Sequence, residues 1–366
     1  MLLLSTVPSN VIGHLVSPYR YLRNVDVILV TRGKVRDVPS FVRVVGLPLK
    51  TVGTLGAWNV PRRVSLFLNS ISYLALGLCA SVVEVTRHRC RVVHARFLFP
   101  EGVVGLLTSM ITGAQLVVTA TGEDANIYLN SSLGRFLVTR MAKRGTVTAV
   151  SVPIQTRLGS LGIKSTFIPT YVDTDEFAFV PLAEKESLIV FIGTLDEVKR
   201  PDLLVEAIND LRDFLTKSGI TTHILGEGHL RPSLVRRIRD LHLDGLIALE
   251  GYVTVPQVVN YLARARVYVS CSTREGLSAA LLEAMASGSV VIASRIPGNE
   301  AVVSDRETAL LFNGDKSTLA NAIMDAFLAS GLCSILTQNA RQTVESTYSV
   351  KATASVLARV YGLEVE

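Results

Sequence analysis

Val267-Tyr268-Val269-Ser270-Cys271-Ser272-Thr273-Arg274-Glu275-Gly276-Leu277-Ser278-Ala279-Ala280-Leu281-Leu282-Glu283 sets the architecture of this chain. The apolar run at its start reads as a short buried strand. Gly276 permits a tight turn, and Ser278 reads as the N-cap of a helix that continues through Ala284, Met285 and Ala286. Glu275 then lies on the loop and Glu283 on the helix's second turn, with unpaired backbone amides between them. Such amides, with the helix dipole behind them, stabilise phosphate. Carboxylates accept several hydrogen bonds and suit hydroxyls. The stretch therefore fits a ligand with a diphosphate at its middle and hydroxyls at both ends.

Outward from this point, apolar runs of strand length alternate with helix-length segments, the pattern of doubly wound α/β domains. In the first half the expected strands are Leu2–Leu4, Val27–Thr31, Val42–Val45, Val92–Ala95, Gln115–Ala120, Thr146–Ser151 and Thr166–Ile168. In the second half they are Leu188–Gly193, Thr222–Leu225, Ile247–Leu249, Val267–Ser270, Val290–Ala293 and Ala309–Phe312. At 366 residues the chain is long for one core and sufficient for two. We expect domains at 1–169 and 187–349, a linker at 170–186, and a last helix within 350–366. Two open sheets of this kind bind ligands outside the carboxyl ends of their strands, and a cleft between the domains is expected there.

Hydrophobic residues make up 49% of the chain and the mean hydropathy is +0.39, which suits strands covered on both faces. Charge is divided unevenly: residues 1–169 hold about 19 Lys and Arg against about 6 Asp and Glu, whereas 170–366 hold about 18 against about 25. Such a split marks an interaction surface. We expect the basic half to meet an anionic membrane surface through Arg62, Arg63, Arg87, Arg89, Arg140, Lys143 and Arg144, with a solvated basic surface as the alternative. Val64–Val83 carries no charge and has the length of a membrane span. It also contains Asn69, Ser70, Ser72 and Ser81, and a span there would divide the first domain, so a buried helix is expected. Cys79, Cys90, Cys271 and Cys333 lack metal-ligand spacing and no secretory leader precedes them, so they are expected to be reduced, buried thiols of a cytoplasmic protein.

Glu275-Gly-Leu-Ser-x4-Glu283 resembles the paired-glutamate signature of the family 4 glycosyltransferases, also called glycosyl transferases group 1. The similarity extends to Phe191-Ile192-Gly193-Thr194-Leu195, Lys199-Arg200-Pro201-Asp202, Leu225-Gly226-Glu227-Gly228, Gly251-Tyr252-Val253, Gly288–Ala293 and Pro297-Gly298, and upstream to Ile168–Phe177. It is strong over about 165–315 and weaker before. It implies a GT-B fold, two Rossmann-like domains facing a central cleft, with the final helix crossing back to the first. It also implies a retaining hexosyltransferase that uses a nucleoside diphosphate sugar.

By this resemblance the catalytic residues are Glu275, Asp124 and Lys199. Glu275 would hold donor-sugar hydroxyls and Glu283 the ribose. Lys199 would neutralise the leaving diphosphate, and the amides of Gly276, Leu277 and Ser278 would meet its phosphates. Gly193 and Gly226 would lie at the donor, with Gly226-x-Gly228 as a tight turn. Tyr252 and Val253 would present backbone to the base. Two positions depart from the pattern: Thr194 stands where the family has an arginine, so that either Arg200 takes over its role or the site is weakened, and Thr121 stands where it has a histidine. Asp124 and Glu123 remain to position an acceptor hydroxyl or act as base. His94 closes an earlier strand and reads either as a cleft residue or as a hydrogen-bonded structural histidine. Gly13 could admit backbone close to the donor.

Asp173-Thr174-Asp175 looks like a metal-binding Asp-x-Asp but falls in the linker, and no metal is expected. The expected partners are the nucleoside diphosphate sugar and a lipid-linked or polysaccharide acceptor, without cofactor or nucleic acid. The expected location is cytoplasmic and peripheral on the membrane. The competing readings are a non-catalytic sugar-nucleotide-binding partner of another transferase and a nucleotide-sugar epimerase.

Overall fold

The computed structural model describes residues 1–5, 16–23, 25–32, 38–47, 62–121, 125 and 127–364, with side chains at all of these except 32 and 62–71. Gly13, Glu123 and Asp124, singled out above, lie outside them, as do the side chains of Arg62 and Arg63. The chain divides into two compact units, Met1–Pro169 with Thr353–Glu366, and Thr170–Ala352.

In the first unit, β1 (Leu2–Leu4), β2 (Val27–Arg32), β3 (Val42–Leu47), β4 (Val92–Ala95), β5 (Gln115–Ala120), β6 (Thr146–Ala149) and β7 (Ser165–Phe167) form one parallel sheet of order β3-β2-β1-β4-β5-β6-β7. Strand side chains alternate between faces, and here both faces are apolar. Leu2, Leu4, Ile28, Val30, Val93 and Ala95 enter one core, and Leu3, Val27, Leu29 and Val92 the other. The first core is covered by α1 (Arg62–His88), α2 (Glu101–Thr112), α3 (Ser132–Arg144) and α4 (Val152–Ser160). Val64–Val83 thus lies inside α1, whose Tyr73 and Val85 are buried in that core. Among the described residues no single helix is long and apolar enough to cross a membrane.

The second unit holds β8 (Glu186–Ile192), β9 (Thr221–Leu225), β10 (Ile247–Gly251), β11 (Ala265–Ser270), β12 (Val290–Ser294) and β13 (Leu310–Phe312) in the parallel order β10-β9-β8-β11-β12-β13. Around them run α5 (Pro201–Asp210), α6 (Arg212–Lys217), α7 (Arg231–Asp240), α8 (Val255–Arg264), α9 (Ala279–Ser287), α10 (Pro297–Glu300), α11 (Lys316–Leu328) and α12 (Ser330–Thr343). The order reverses between β8 and β11, so the loops leaving these neighbours part to opposite faces. Open α/β sheets bind ligands in that crevice.

Residues 170–186 fold onto the second unit instead of running free. Arg341 of α12 donates to Phe177 O at 2.9 Å, Ala286 O at 2.8 Å and Thr174 O at 3.2 Å, and so fastens this segment to the last turn of α9. The last helix, α13 (Val350–Tyr361), passes to the first unit, where Ala354, Leu357, Ala358 and Tyr361 are buried against Leu3, Leu29 and Val117. His94 lies beneath it and is fully buried. Its Nδ1 pairs with the Tyr361 hydroxyl at 2.5 Å and its Nε2 with Thr119 Oγ1 at 2.7 Å, which in turn meets Thr148 Oγ1 at 2.8 Å. Of the two readings of His94, the structural histidine holds. The cysteines are all free, but only Cys90, Cys271 and Cys333 are buried; Cys79 is exposed on α1, a correction to the expectation that all four would be covered.

Candidate active site

The crevice of the second unit is floored by glycines. The 3.0 Å bond from Gly193 N to Leu225 O extends the pairing of β8 with β9, and Gly226 N donates to Gly251 O at 2.7 Å. A Cβ on Gly226, whose φ is +137°, would stand 1.9 Å from Gly193 O, and one on Gly228 2.3 Å from Leu195 O. Only glycine lets these backbones approach so closely, which accounts for Gly226-x-Gly228 without a dinucleotide motif. Tyr252 follows, 75% exposed, and Val253 packs against the core formed by Leu188, Val190 and Leu225.

The loop after β8 is shaped by Asp196. Its Oδ1 accepts from Val198 N at 3.0 Å and Lys199 N at 2.9 Å, and its Oδ2 from the Thr194 hydroxyl at 2.6 Å. Burial would raise its pKa, but the Thr194 hydroxyl and these amides outweigh that and hold it below the usual range. Thr194, at the family's arginine position, is thus a loop-fixing residue. The turn leaves Arg200 in the left-handed region with φ of 49°, and its guanidinium donates to Gly314 O at 3.1 Å. Arg200 lines a separate cavity of about 300 Å³ with Glu197, Asp202 and Leu230. The structure therefore gathers Lys199, and not Arg200, to the glutamate.

Lys199 Nζ is ion-paired with Glu275 Oε1, the side chains being 25% and 12% exposed. A pair so shielded is screened less than a surface one. Glu275 also accepts from Ser272 Oγ at 2.6 Å. Beneath it, Ser294 Oγ donates to Ser272 O, and Asn299 Nδ2 donates to Ser294 O at 2.9 Å. All three of Ser272, Ser294 and Asn299 are buried. Gly298 completes the support, because a Cβ there would come within 2.2 Å of Glu275 O. Thr273 N donates to Val198 O at 2.8 Å and ties the two loops together.

Ser278 caps α9, its side chain accepting from Leu281 N at 3.4 Å. The amides of Leu277, Ser278, Ala279 and Ala280 have no acceptor among the described residues. They form an anion-binding end beside the Lys199–Glu275 pair. Glu283, one turn further, has no hydrogen bond to its carboxylate among the described residues; burial, and then the neighbouring charge of Glu176, push its pKa up to about 7. Tyr268 of β11 connects the two glutamates. Its fully buried phenol has a raised pKa, chiefly from burial and then from the charge of Glu275, with Glu283 adding a smaller push; Ser278 and Ser270 bond to it. Asp173 accepts from Asp175 N at 3.1 Å and shapes its own turn.

Sequence reasoning missed Asp196, Ser272, Ser294, Asn299 and Tyr268. Asp196 alone had a readable signal, since an Asp two and three residues before amides that must turn is the Asx-turn pattern.

Residues 172–343 match the family described as glycosyl transferases group 1. An N-acetyl-alpha-D-glucosaminyl L-malate synthase of Bacillus anthracis is 22% identical over 303 residues, covering 78% of this chain and 78% of its own length. An uncharacterized glycosyltransferase of Methanocaldococcus jannaschii is 27% identical over 256 residues, 69% of each chain. Among solved structures, Anabaena HepE in complex with UDP and glucose is 17% identical with a TM-score of 0.68 over 99% of this chain and 98% of that one. Sucrose-phosphate synthase from Thermosynechococcus elongatus is 18% identical with a TM-score of 0.74 over 99% of this chain and 98% of that one. Residues 172–343 thus form a glycosyl transferases group 1 domain, and the chain is a glycosyltransferase of the GT-B fold.

Proposed function

We propose that the chain is a retaining glycosyltransferase that takes a sugar from a nucleoside diphosphate and passes it to a lipid-linked or polysaccharide acceptor. The observation that carries this reading is the Lys199–Glu275 pair beside the open amides of α9. It sets a cation, a carboxylate and an anion-binding helix end within a few bonds of one another, as the junction between a sugar and a diphosphate requires. On donor binding Lys199 turns from Glu275 to the phosphate, and Glu275 is freed to accept the sugar hydroxyls. As the anomeric C–O bond breaks, charge collects on the leaving diphosphate, where Lys199 and the amides of Leu277 to Ala280 stabilise it. Glu283 takes the ribose hydroxyls, and Asp124 positions the acceptor by its place in the sequence pattern. Retention is supported by the likeness of Glu275 and Glu283 to the paired glutamates of family 4.

The nucleotide sugar is a co-substrate, and no cofactor enters the scheme. UDP-sugars are the first donors to test, because HepE is described in complex with UDP and glucose. The four free cysteines accord with a cytoplasmic site of action. One observation favours a second reading: Thr194 replaces the family's arginine and Arg200 is engaged at Gly314, which leaves Lys199 as the cation paired with Glu275 among the described residues and suits a sugar-nucleotide-binding partner without turnover. Incubation with a panel of UDP-, GDP- and ADP-sugars, followed by the released nucleoside diphosphate, separates the two. Release of nucleotide with one donor supports the transferase. Binding without release supports the second reading, and an epimerised donor would contradict both.

A further inference from the structure

We infer that the outer face of α1, α2 and α3 in the first unit docks on an anionic lipid surface. The three helices lie side by side over one core and bury their inner faces there. A helix packed this way ordinarily turns polar residues outward, yet these three expose apolar ones at helical spacing. On α2 they are Leu107, Met110 and Ile111, with Met110 64% and Ile111 62% exposed. On α3 they are Leu133 and Phe136, and on α1 Leu76 and Val83. Exposed apolar stripes on adjacent elements form the kind of patch that marks a docking surface.

Charge names the occupant. From Ser72 to the end of α1, and along α2 and α3, the only carboxylates are Glu84 and Glu101, and both are buried. The exposed charges are all cations: Arg135 near the start of α3 and, gathered at the C-terminal ends, Arg87 on α1, Arg140, Lys143 and Arg144 on α3, and Arg89 and Arg91 just after α1. None of these is ion-paired to a carboxylate among the described residues. Arg144 donates to Ser109 O at 2.6 Å, so the ends of α3 and α2 abut, and Arg140 lies 5.0 Å over the Phe136 ring. Because the strands are parallel, the helices return in one direction and the basic ends of α1 and α3 share one edge. Between the ends of α1 and α2 lies a cavity of about 620 Å³ lined by Arg89, Arg91 and Ile111. An apolar stripe with a cationic margin matches acyl chains bounded by anionic headgroups.

The face is independent of the chemistry assigned to the second unit, so the test is a binding measurement. The full chain is sedimented with vesicles of phosphatidylcholine alone and with phosphatidylcholine mixed with phosphatidylglycerol. Partition onto the anionic vesicles should be at least about tenfold greater and fall with added salt. The double variants Leu133→Ser/Phe136→Ser and Arg140→Glu/Lys143→Glu, altered only at exposed positions, should keep the wild-type melting temperature and each lose about tenfold or more of that partition. Equal recovery on both vesicles, recovery on neither, or a dimer in solution that Leu133→Ser/Phe136→Ser dissociates would overturn the inference. The last result would assign the face to a second copy of the chain.

Discussion

At the scale of single residues, Glu275 is held from three sides. Lys199 pairs with it, Ser272 donates to it, and the Ser294–Asn299 network fixes the backbone that carries it. Glu275→Gln keeps the Ser272 bond and removes the charge. It should lower kcat/KM for donor turnover by roughly 2–4 kcal/mol, the scale of losing one preorganised polar contact; steady-state kinetics checks this, and wild-type turnover would contradict the role. Glu283 makes a prediction of opposite character. Its folded pKa of about 7 lies above the ordinary carboxylate value, so the fold holds the proton more tightly than the unfolded chain does. Stability from this group is present at low pH and is lost as pH rises from about 4.5 to about 7, amounting to up to about 3 kcal/mol. Glu283→Gln should flatten that slope in urea titrations at pH 5 and pH 8 and be the more stable protein at pH 8. An unchanged slope would mean the carboxylate is already ionised and partnered.

At the scale of elements, the expected strands agree with the observed ones to within about two residues at most ends, because parallel strands covered on both faces are written as unbroken apolar runs. Leu188–Gly193 and Val290–Ala293 are such runs. The strand expected over Thr146–Ser151 ends instead at Ala149, two residues short, because Ser151 already serves as the N-cap position of α4. The site was legible where it rested on composition, in Glu275, Glu283, Lys199 and the capped helix. It was illegible where it rested on direction. Nothing in Lys199-Arg200 tells which cation meets Glu275, since the left-handed turn at Arg200 decides it. Ser272 and Ser294 are short polar residues at or just past strand ends, Asn299 sits in the short helix α10, and none carries a periodic signal. The glycine floor gives a clean contrast in mutagenesis. Gly226→Ala would drive a Cβ into backbone and should cost at least about 2 kcal/mol with loss of donor binding. Gly219, whose φ is +62° with open space around it, should cost only about 1 kcal/mol on the same change. Urea melts of both variants check this, and equal costs would mean that close packing of the loops is not what Gly226 serves.

At the scale of the molecule, the two units should respond to acid in opposite senses. His94 is buried with its pKa held well below 6.5, first by burial and then by Arg96. Its neutral form is the one the first unit holds, so that unit keeps its full stability above about 6.5 and loses it as pH falls below. The second unit gains stability over much of the same range, as Glu283 takes up its proton. Melting followed from pH 7.5 to pH 5 should therefore separate into two transitions, with the first unit melting earlier. His94→Leu would leave the Tyr361 and Thr119 hydroxyls without their shared partner and should destabilise the first unit by about 2–4 kcal/mol. A single transition at every pH would show that the units unfold as one.

The central claim is that the end of α9 beside Lys199 and Glu275 binds the diphosphate of a nucleotide sugar. The most direct measurement is isothermal titration of UDP and of uridine into the wild-type chain and into Lys199→Ala. If the claim holds, UDP binding should weaken in the variant by about tenfold or more while uridine binding stays within about twofold, because only the diphosphate loses a cation. Equal weakening of both ligands, or UDP binding that Lys199→Ala leaves unchanged, would contradict it.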